Sequence, residues 1–300
     1  MKSSINLYIL TPAAITAVAF LSPLCLNAQK FSLKPHVDIG VGSVMSLKSD
    51  LQLSTKSSSS TSFGVDFGYT FWKLDGNSLE VNIGLGYSTT GIKLGTEGFD
   101  YSYNAPASAD EDGNPYVRHY SLSDLEQKFN IDYFNIPLYL SYGYQFNHRI
   151  GVHADLGFRF GFKCNAKMNS VSGTTTSYGI YPEYDNLVIN APWLNGFGTT
   201  DLADAKKGVV DANGFYTSLL VGAALDVYID GPVWLNAGVR YDCGFTNCFK
   251  HLYKGSTYTA ENAPVSYTVA EGQKAKPLTG YLNLSKLSPF SVHIGLTFKF

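Results

Sequence analysis

From Phe290 to Phe300 the chain alternates without a break. Phe290, Val292, Ile294, Leu296, Phe298 and Phe300 are apolar, and Ser291, His293, Gly295, Thr297 and Lys299 fill the intervening positions. A period of two over this length describes a β-strand with one face in an apolar medium and the other in a polar one. That medium is either a second sheet, as in a soluble sandwich, or lipid, as in a membrane barrel.

The pattern recurs along the chain. Apolar positions run through Val37, Ile39, Val41 and Met45 in a first strand, near residues 36 to 45, and through Phe63 to Phe71 in a second. Leu79 to Tyr87 make a third and Phe134 to Tyr144 a fourth; Val152 to Phe162 make a fifth, Phe215 to Val227 a sixth and Val233 to Phe245 a seventh. The terminal segment makes eight. Pro137, inside the fourth, removes one ladder donor and predicts a bulge or a gap in pairing.

Connection lengths separate the two media. Short turns (Lys73 to Ser78, Asn147 to Ile150, Ile229 to Pro232) alternate with long polar connections. An up-and-down barrel in the outer membrane has this asymmetry, with short periplasmic turns, long extracellular loops and both termini on the periplasmic side. A Greek-key sandwich gives no reason for it. The expected fold is therefore all-β: an eight-stranded antiparallel up-and-down transmembrane β-barrel.

The polar faces agree. They carry Asp38, Asp66, Glu80, Asp155, Arg159, Lys163, Asp226, Arg240, Asp242, His293 and Lys299, interleaved with glycines. Eight strands enclose just enough room for side chains, so charges of both signs are expected to pair in the lumen. Outward positions carry almost no charge, as expected where Lys or Arg costs roughly 2–4 kcal/mol at mid-bilayer. Tyr69, Phe71, Tyr142, Tyr144 and Phe146 at one end, and Tyr87, Phe160, Phe162, Phe215, Tyr241 and Phe290 at the other, read as two aromatic belts.

The N-terminus supplies an export signal. Lys2 precedes an apolar stretch, and Leu26-Asn27-Ala28 resembles a signal-peptidase site, which makes residues 1–28 a cleaved signal peptide and 29–300 the barrel domain. A lipoprotein signal on Cys25 is the rival reading, with Leu24 against it. No later stretch approaches the roughly 20 apolar residues of a membrane helix. Charged residues are only 15% and aromatics 14%, and a net charge of −2 without a basic run gives no reason to expect nucleic acid.

With these residues in view, the chain resembles the small outer-membrane barrels of the Bacteroidetes type, the PorT-like and OmpA-like group. The resemblance rests on the Ala28-Gln29 region, on DYFNIPLYLSYGY (Asp132 to Tyr144) with its Ile136-Pro137-Leu138 core, and on the ending GLTFKF. Phe134 stands where the group usually has Leu. The resemblance implies a barrel far more firmly than an activity, and with no peptidoglycan-binding domain after Phe300 it does not imply the anchoring role of full OmpA-type proteins. The terminal Phe300 resembles the signal read by the insertion machinery.

Candidate chemistry is sparse. His36, His153 and His293 with Asp38 and Asp155 form a possible proton relay, against which stands simple pairing in a narrow lumen. Asp110, Glu111, Asp112, Gly113 and Asn114 resemble a calcium loop but lack the distal Glu of EF-hand spacing, which favours a solvated turn. Cys164, Cys243 and Cys248 fall at outer strand ends, where a Cys164–Cys248 disulfide with Cys243 free is permitted. The connections 164 to 214 and 246 to 289 carry exposed-looking aromatics in YGIYPEYDN and APWLNGFG and are the remaining place for binding.

The expectation is a monomeric, non-enzymatic outer-membrane protein without cofactor, with a structural or interaction role. Its expected partners are outer-membrane lipid, lipopolysaccharide, the insertion machinery and envelope proteins. A small-solute porin and a lipid-modifying enzyme or protease are the alternatives.

Overall fold

Val, Ile, Phe and Tyr at every second position favour extended backbone because their branched or aromatic side chains pack across a pleated surface. The computed structural model, which describes residues 30–41, 48–49, 51, 53–253 and 257–300, is accordingly built of strands. Residues 1–28, expected as a signal peptide, with Cys25, as well as Gln29 and the end of the first expected strand at Met45, lie outside the described residues. Eight long strands are β1 (Phe31–Val41), β2 (Ser54–Leu74), β3 (Asn77–Gly95), β4 (Tyr116–Gln145), β5 (Ile150–Tyr181), β6 (Phe215–Asp230), β7 (Val233–Gly244) and β8 (Phe290–Lys299).

Every neighbouring pair in this series is antiparallel, and β8 pairs in turn with β1, so the ladders return to their start. The main sheet is larger than expected, with eleven strands rather than eight. The additional strands, Gly98–Ala105, Leu187–Ile189 and Gly198–Asp201, pair with the distal parts of β4 and β5. Asp75 and Gly76, at φ 47° and 81°, make the tight β2–β3 turn, a conformation that favours Gly.

Both prolines in the series interrupt a ladder. Between β3 and β4 the register passes from Ile83↔Leu138 to Gly86↔Asn135, skipping the pairs that Pro137 would join. The β1–β8 ladder skips from Leu33↔Phe298 to His36↔Gly295 around Pro35. A missing N–H accounts for each gap.

Burial along the lower strands is inverted relative to a soluble protein. Ile39 is 60% exposed, Ile83 54% and Leu156 58%, whereas Asp66 and Asn82 are 0% exposed and Arg240 4%. A row of outward aromatics, Phe63↔Tyr87↔Phe134↔Phe162↔Phe215, runs directly across five neighbouring strands and closes the top of this apolar band.

Above that row the sign changes while the period persists. On β3 the outward residues become Thr89, Gly91 and Lys93 and the inward ones Ile92 and Leu94; on β4 they become Lys128 and Asn130 outward, Phe129 and Ile131 inward. The strands therefore continue well past the band: β4 has 30 residues and β5 has 32, where about 9–11 cross a bilayer. Residues 89 to 133 and 164 to 181, expected as loop, are largely strand.

The connections 182–214 and 245–289 fold over the end of this extension. They contribute a three-stranded sheet (Lys206–Lys207, Gly272–Ala275, Val265–Thr268) and a small ladder between Lys48–Ser49 and Leu282–Leu284. Phe197, Leu202, Phe249, Val265 and Leu278 pack onto Leu94, Leu122 and Phe129 as one apolar core. The molecule thus has a polar-cored lower barrel and an apolar-cored upper cap.

Candidate functional site

The lower barrel is braced from side to side. Arg240 of β7 stands 3.7 Å from Asp38 of β1, 3.7 Å from Asp66 of β2 and 3.6 Å from Asp155 of β5. Arg159 of β5 reaches Asp242 of β7 at 2.6 Å and Asp38 at 3.8 Å. His293 Nδ1 lies 2.6 Å from Asp38 Oδ1, and His36 Nδ1 lies 3.5 Å from Asp66 Oδ2. Tyr139 donates to Asp66 at 2.6 Å, Ser62 to Asp38 at 3.0 Å and Ser141 to Asp155 at 2.5 Å. Small residues make room for these groups. A Cβ on Gly84 would overlap Asp66 Oδ1, and one on Gly68 would overlap Glu80.

Towards the lower mouth, His153 lies 2.9 Å from Asp226, Asn236 donates to Asp226 at 2.5 Å, and Lys34 pairs with Glu80 at 2.7 Å. A cavity of about 70 Å³ opens there between Ser32, Glu80, Asp226, Trp234 and Lys299, room for a few waters.

Nine of the eleven residues expected in the lumen thus join this network, and two do not pair with a carboxylate. Lys163 donates to the Ala212 carbonyl at 2.7 Å, under the cap, and Lys299 lies over the Trp234 ring, 4.5 Å from its centroid. Lys34 and Tyr139 complete the bracing; the parity of His36 and Asp38, extended two residues back, points to Lys34. The three histidines each face a carboxylate, His36 on Asp66, His153 on Asp226 and His293 on Asp38, and so tie neighbouring strands together.

The cap has its own polar centre. Arg118, fully buried, donates to the Asn195 and Gly196 carbonyls at 2.8 and 2.9 Å, to Ser177 at 3.1 Å and to the Tyr116 hydroxyl at 3.1 Å. Its guanidinium also lies over the rings of Tyr120, Phe197 and Tyr267. Asp110 turns inward beside it and accepts from the Asn114 N–H, Tyr181 and Asn195 at 2.8, 2.7 and 2.5 Å. Burial alone would raise the Asp110 pKa, but these donors hold it below the usual carboxylate value. Glu111 and Asp112 point to solvent. The acidic stretch is therefore a turn anchored by Asp110. Among the described residues no group of three or more His, Cys, Asp or Glu is arranged to hold a metal ion.

The expected Cys164–Cys248 disulfide is not formed: Cys164, Cys243 and Cys248 are all free thiols. Cys164 lies exposed at a register shift of β5 opposite Asp132 and Tyr133, whereas Cys248 is buried in the cap core, where desolvation pushes its pKa up to about 12.

An inverted exterior, a charged and braced interior and antiparallel ladders that return to their start are properties of outer-membrane barrels. The family described as outer membrane protein beta-barrel domain matches residues 27–250. The chain belongs to that family. No curated protein matches it. Among solved structures, Ail, the attachment invasion locus protein of Yersinia pestis, in complex with the heparin analogue sucrose octasulfate, has a TM-score of 0.31 at 10% identity, covering 91% of this chain and 99% of that one. The translocator domain of the autotransporter NalP from Neisseria meningitidis has a TM-score of 0.26 at 12% identity, covering 96% and 94%. The beta domain of the Bordetella autotransporter BrkA has a TM-score of 0.26 at 10% identity, covering 90% and 100%. Family membership places this barrel in the outer membrane and rests on the family match alone.

Proposed function

We propose that this outer-membrane barrel is non-enzymatic and acts through its cap, either by binding at the cell surface or as an accessory to an envelope assembly. In this reading the eight long strands are a closed transmembrane barrel, residues 1–28 are a cleaved export signal, and Phe300 is the handle for insertion. The protein is a monomer without cofactor, of the Bacteroidetes PorT-like and OmpA-like type.

The observation that carries the reading is Arg240, which reaches carboxylates on three other strands across the lumen. Such cross-bracing fills an eight-stranded barrel and argues against a small-solute pore. It also leaves the extended, folded cap as the part free to differ in function.

Reconstituted in planar bilayers, the protein is expected to carry no stable unitary current. Long-lived open channels would replace this reading with the porin one. Quantified recovery of the tagged barrel from its own membranes then separates its two forms: stoichiometric envelope proteins mark an accessory, and recovery alone marks a surface binder.

A further inference from the structure

The outward face just above the aromatic row carries a group of cations. Lys93, Lys128 and Lys167 stand on three adjacent strands, β3, β4 and β5, with Lys93 directly opposite Lys128 and Lys167 opposite Asn130. Lys56, at a register shift of β2, lies against Gly95 beside them. Two carboxylates stand among these lysines, and Glu97 and Asp124 lie exposed next to them. Glu126 pairs with Lys93 at 2.5 Å, and Asp132 accepts from Thr89 and Asn165 at 2.9 and 3.2 Å. Among the described residues no carboxylate lies within ion-pair distance of Lys56, Lys128 or Lys167, so three ammonium groups on this face have no ion-pair partner there. A notch of about 270 Å³ runs between Ser57, Ser59, Lys93, Lys128, Asn130 and Asn169, with Gly91 leaving its floor open.

Height selects the partner. Lys93 is six residues above Tyr87 on the same strand, as is Lys128 above Phe134. At about 3.3 Å per residue and a tilt of about 40°, the lysines stand roughly 15 Å above the aromatic row. Phospholipid headgroups extend only about 5–8 Å beyond the hydrocarbon on each side. Among membrane lipids, those that carry anions at the height of the lysines are the ones with a saccharide that rises from the membrane.

We propose that this lysine face binds the phosphorylated saccharide of the outer-leaflet glycolipid, lipopolysaccharide, with its phosphates on Lys93, Lys128 and Lys167 and its sugar hydroxyls on Asn130, Ser57 and Ser59. The proposal rests on the reading above that the strands cross the membrane below the aromatic row. It gives the barrel a fixed lipid neighbour on its β3–β5 side and orients the cap relative to the sugar layer.

The test titrates the immobilised, folded full chain in neutral detergent with three samples: lipopolysaccharide, the same lipopolysaccharide stripped of its phosphates, and phosphatidylglycerol. The intact glycolipid is expected to bind tightest, with an affinity that falls with salt. Each lysine near an anionic surface is worth roughly fivefold, so Lys93→Gln/Lys128→Gln/Lys167→Gln together should weaken binding about a hundredfold. Lys274→Gln, elsewhere on the cap, should change nothing. Equal binding of the dephosphorylated glycolipid or of phosphatidylglycerol overturns the proposal, as does a triple variant that binds like the parent. Each variant is first checked for a heat-dependent shift in gel mobility. A parent barrel that shifts but ignores the glycolipid removes this inference alone, whereas one without the shift removes the membrane reading as well.

Discussion

Replacing Arg240 by Met isolates the bracing of the lumen. The substitution keeps the length and apolar volume of the side chain but removes a cation that stands 3.6–3.7 Å from Asp38, Asp66 and Asp155. At an effective dielectric of about 20, each such pair has a gross attraction of roughly 4–5 kcal/mol. In the parent, desolvation of the four groups offsets most of this. In the variant the carboxylates stay buried with the cation gone, and removal of one partner from a buried cluster costs about 3–5 kcal/mol. Equilibrium unfolding in urea from detergent micelles, followed by Trp fluorescence, should therefore show a stability loss of that size. Adding Asp155→Asn to Arg240→Met should recover part of it, because one buried charge disappears. An unfolding midpoint equal to the parent's, or higher, would refute the claim that Arg240 holds the lumen together.

The exterior predicts an opposite sensitivity at two heights. Ile83→Arg, in the apolar band, should cost roughly 2–4 kcal/mol of unfolding free energy and lower insertion into vesicles, while Asn130→Arg, above the aromatic row, should cost little; equal costs would contradict the placement of the band. A membrane-impermeant maleimide should label Cys164 on intact cells within minutes and reach Cys248 only after unfolding, as read by mass. The folded-state pKa of Asp110 is depressed, so its stabilisation of the cap is complete above the ordinary carboxylate pKa of about 3.9 and is lost as pH falls through the lower, folded value. Asp110→Asn should accordingly increase limited proteolysis of the 182–214 connection at neutral pH, and the difference between variant and parent should shrink in acid; a difference that grows in acid contradicts the assignment. Arg118→Met should expose the same connection more strongly, since it leaves the Asn195 and Gly196 carbonyls without their buried donor.

Much of the lower barrel was legible because there the sequence obeys a single rule. Alternation placed Asp38, Asp66, Asp155, Arg159 and Arg240 inward and Ile39, Ile83 and Leu156 outward, and the gap at Pro137 followed from its missing N–H. The upper half obeys the same period with its sign reversed, so apolar outward faces stop where the apolar band ends although the strands do not. Ile92 and Leu94 against Lys93, or Phe129 and Ile131 against Lys128 and Asn130, carry the continuing strand as clearly once the reversal is allowed. Register shifts opposite Lys128–Phe129 and Asp132–Tyr133 break strict parity in β5 and hide its continuation. The disulfide expectation failed for a related reason: two cysteines at neighbouring strand ends were separated by a bulge that turns one outward and by a cap core that encloses the other. The Arg118 cluster was illegible, because Asn195 and Gly196 reach it from a connection whose path local sequence does not set.

The central claim is that one continuous strand passes from lipid to water between Leu85 and Gly91. It is tested most directly by single spin labels on β3 in a Cys164→Ser/Cys243→Ser background, in which only buried Cys248 remains, through Val81→Cys, Ile83→Cys, Leu85→Cys, Gly91→Cys and Lys93→Cys in reconstituted bilayers. The account predicts that the first three relax with oxygen and not with a water-soluble nickel chelate, and that the last two do the reverse. Nickel accessibility at all five positions would mean that the apolar band does not lie in the membrane.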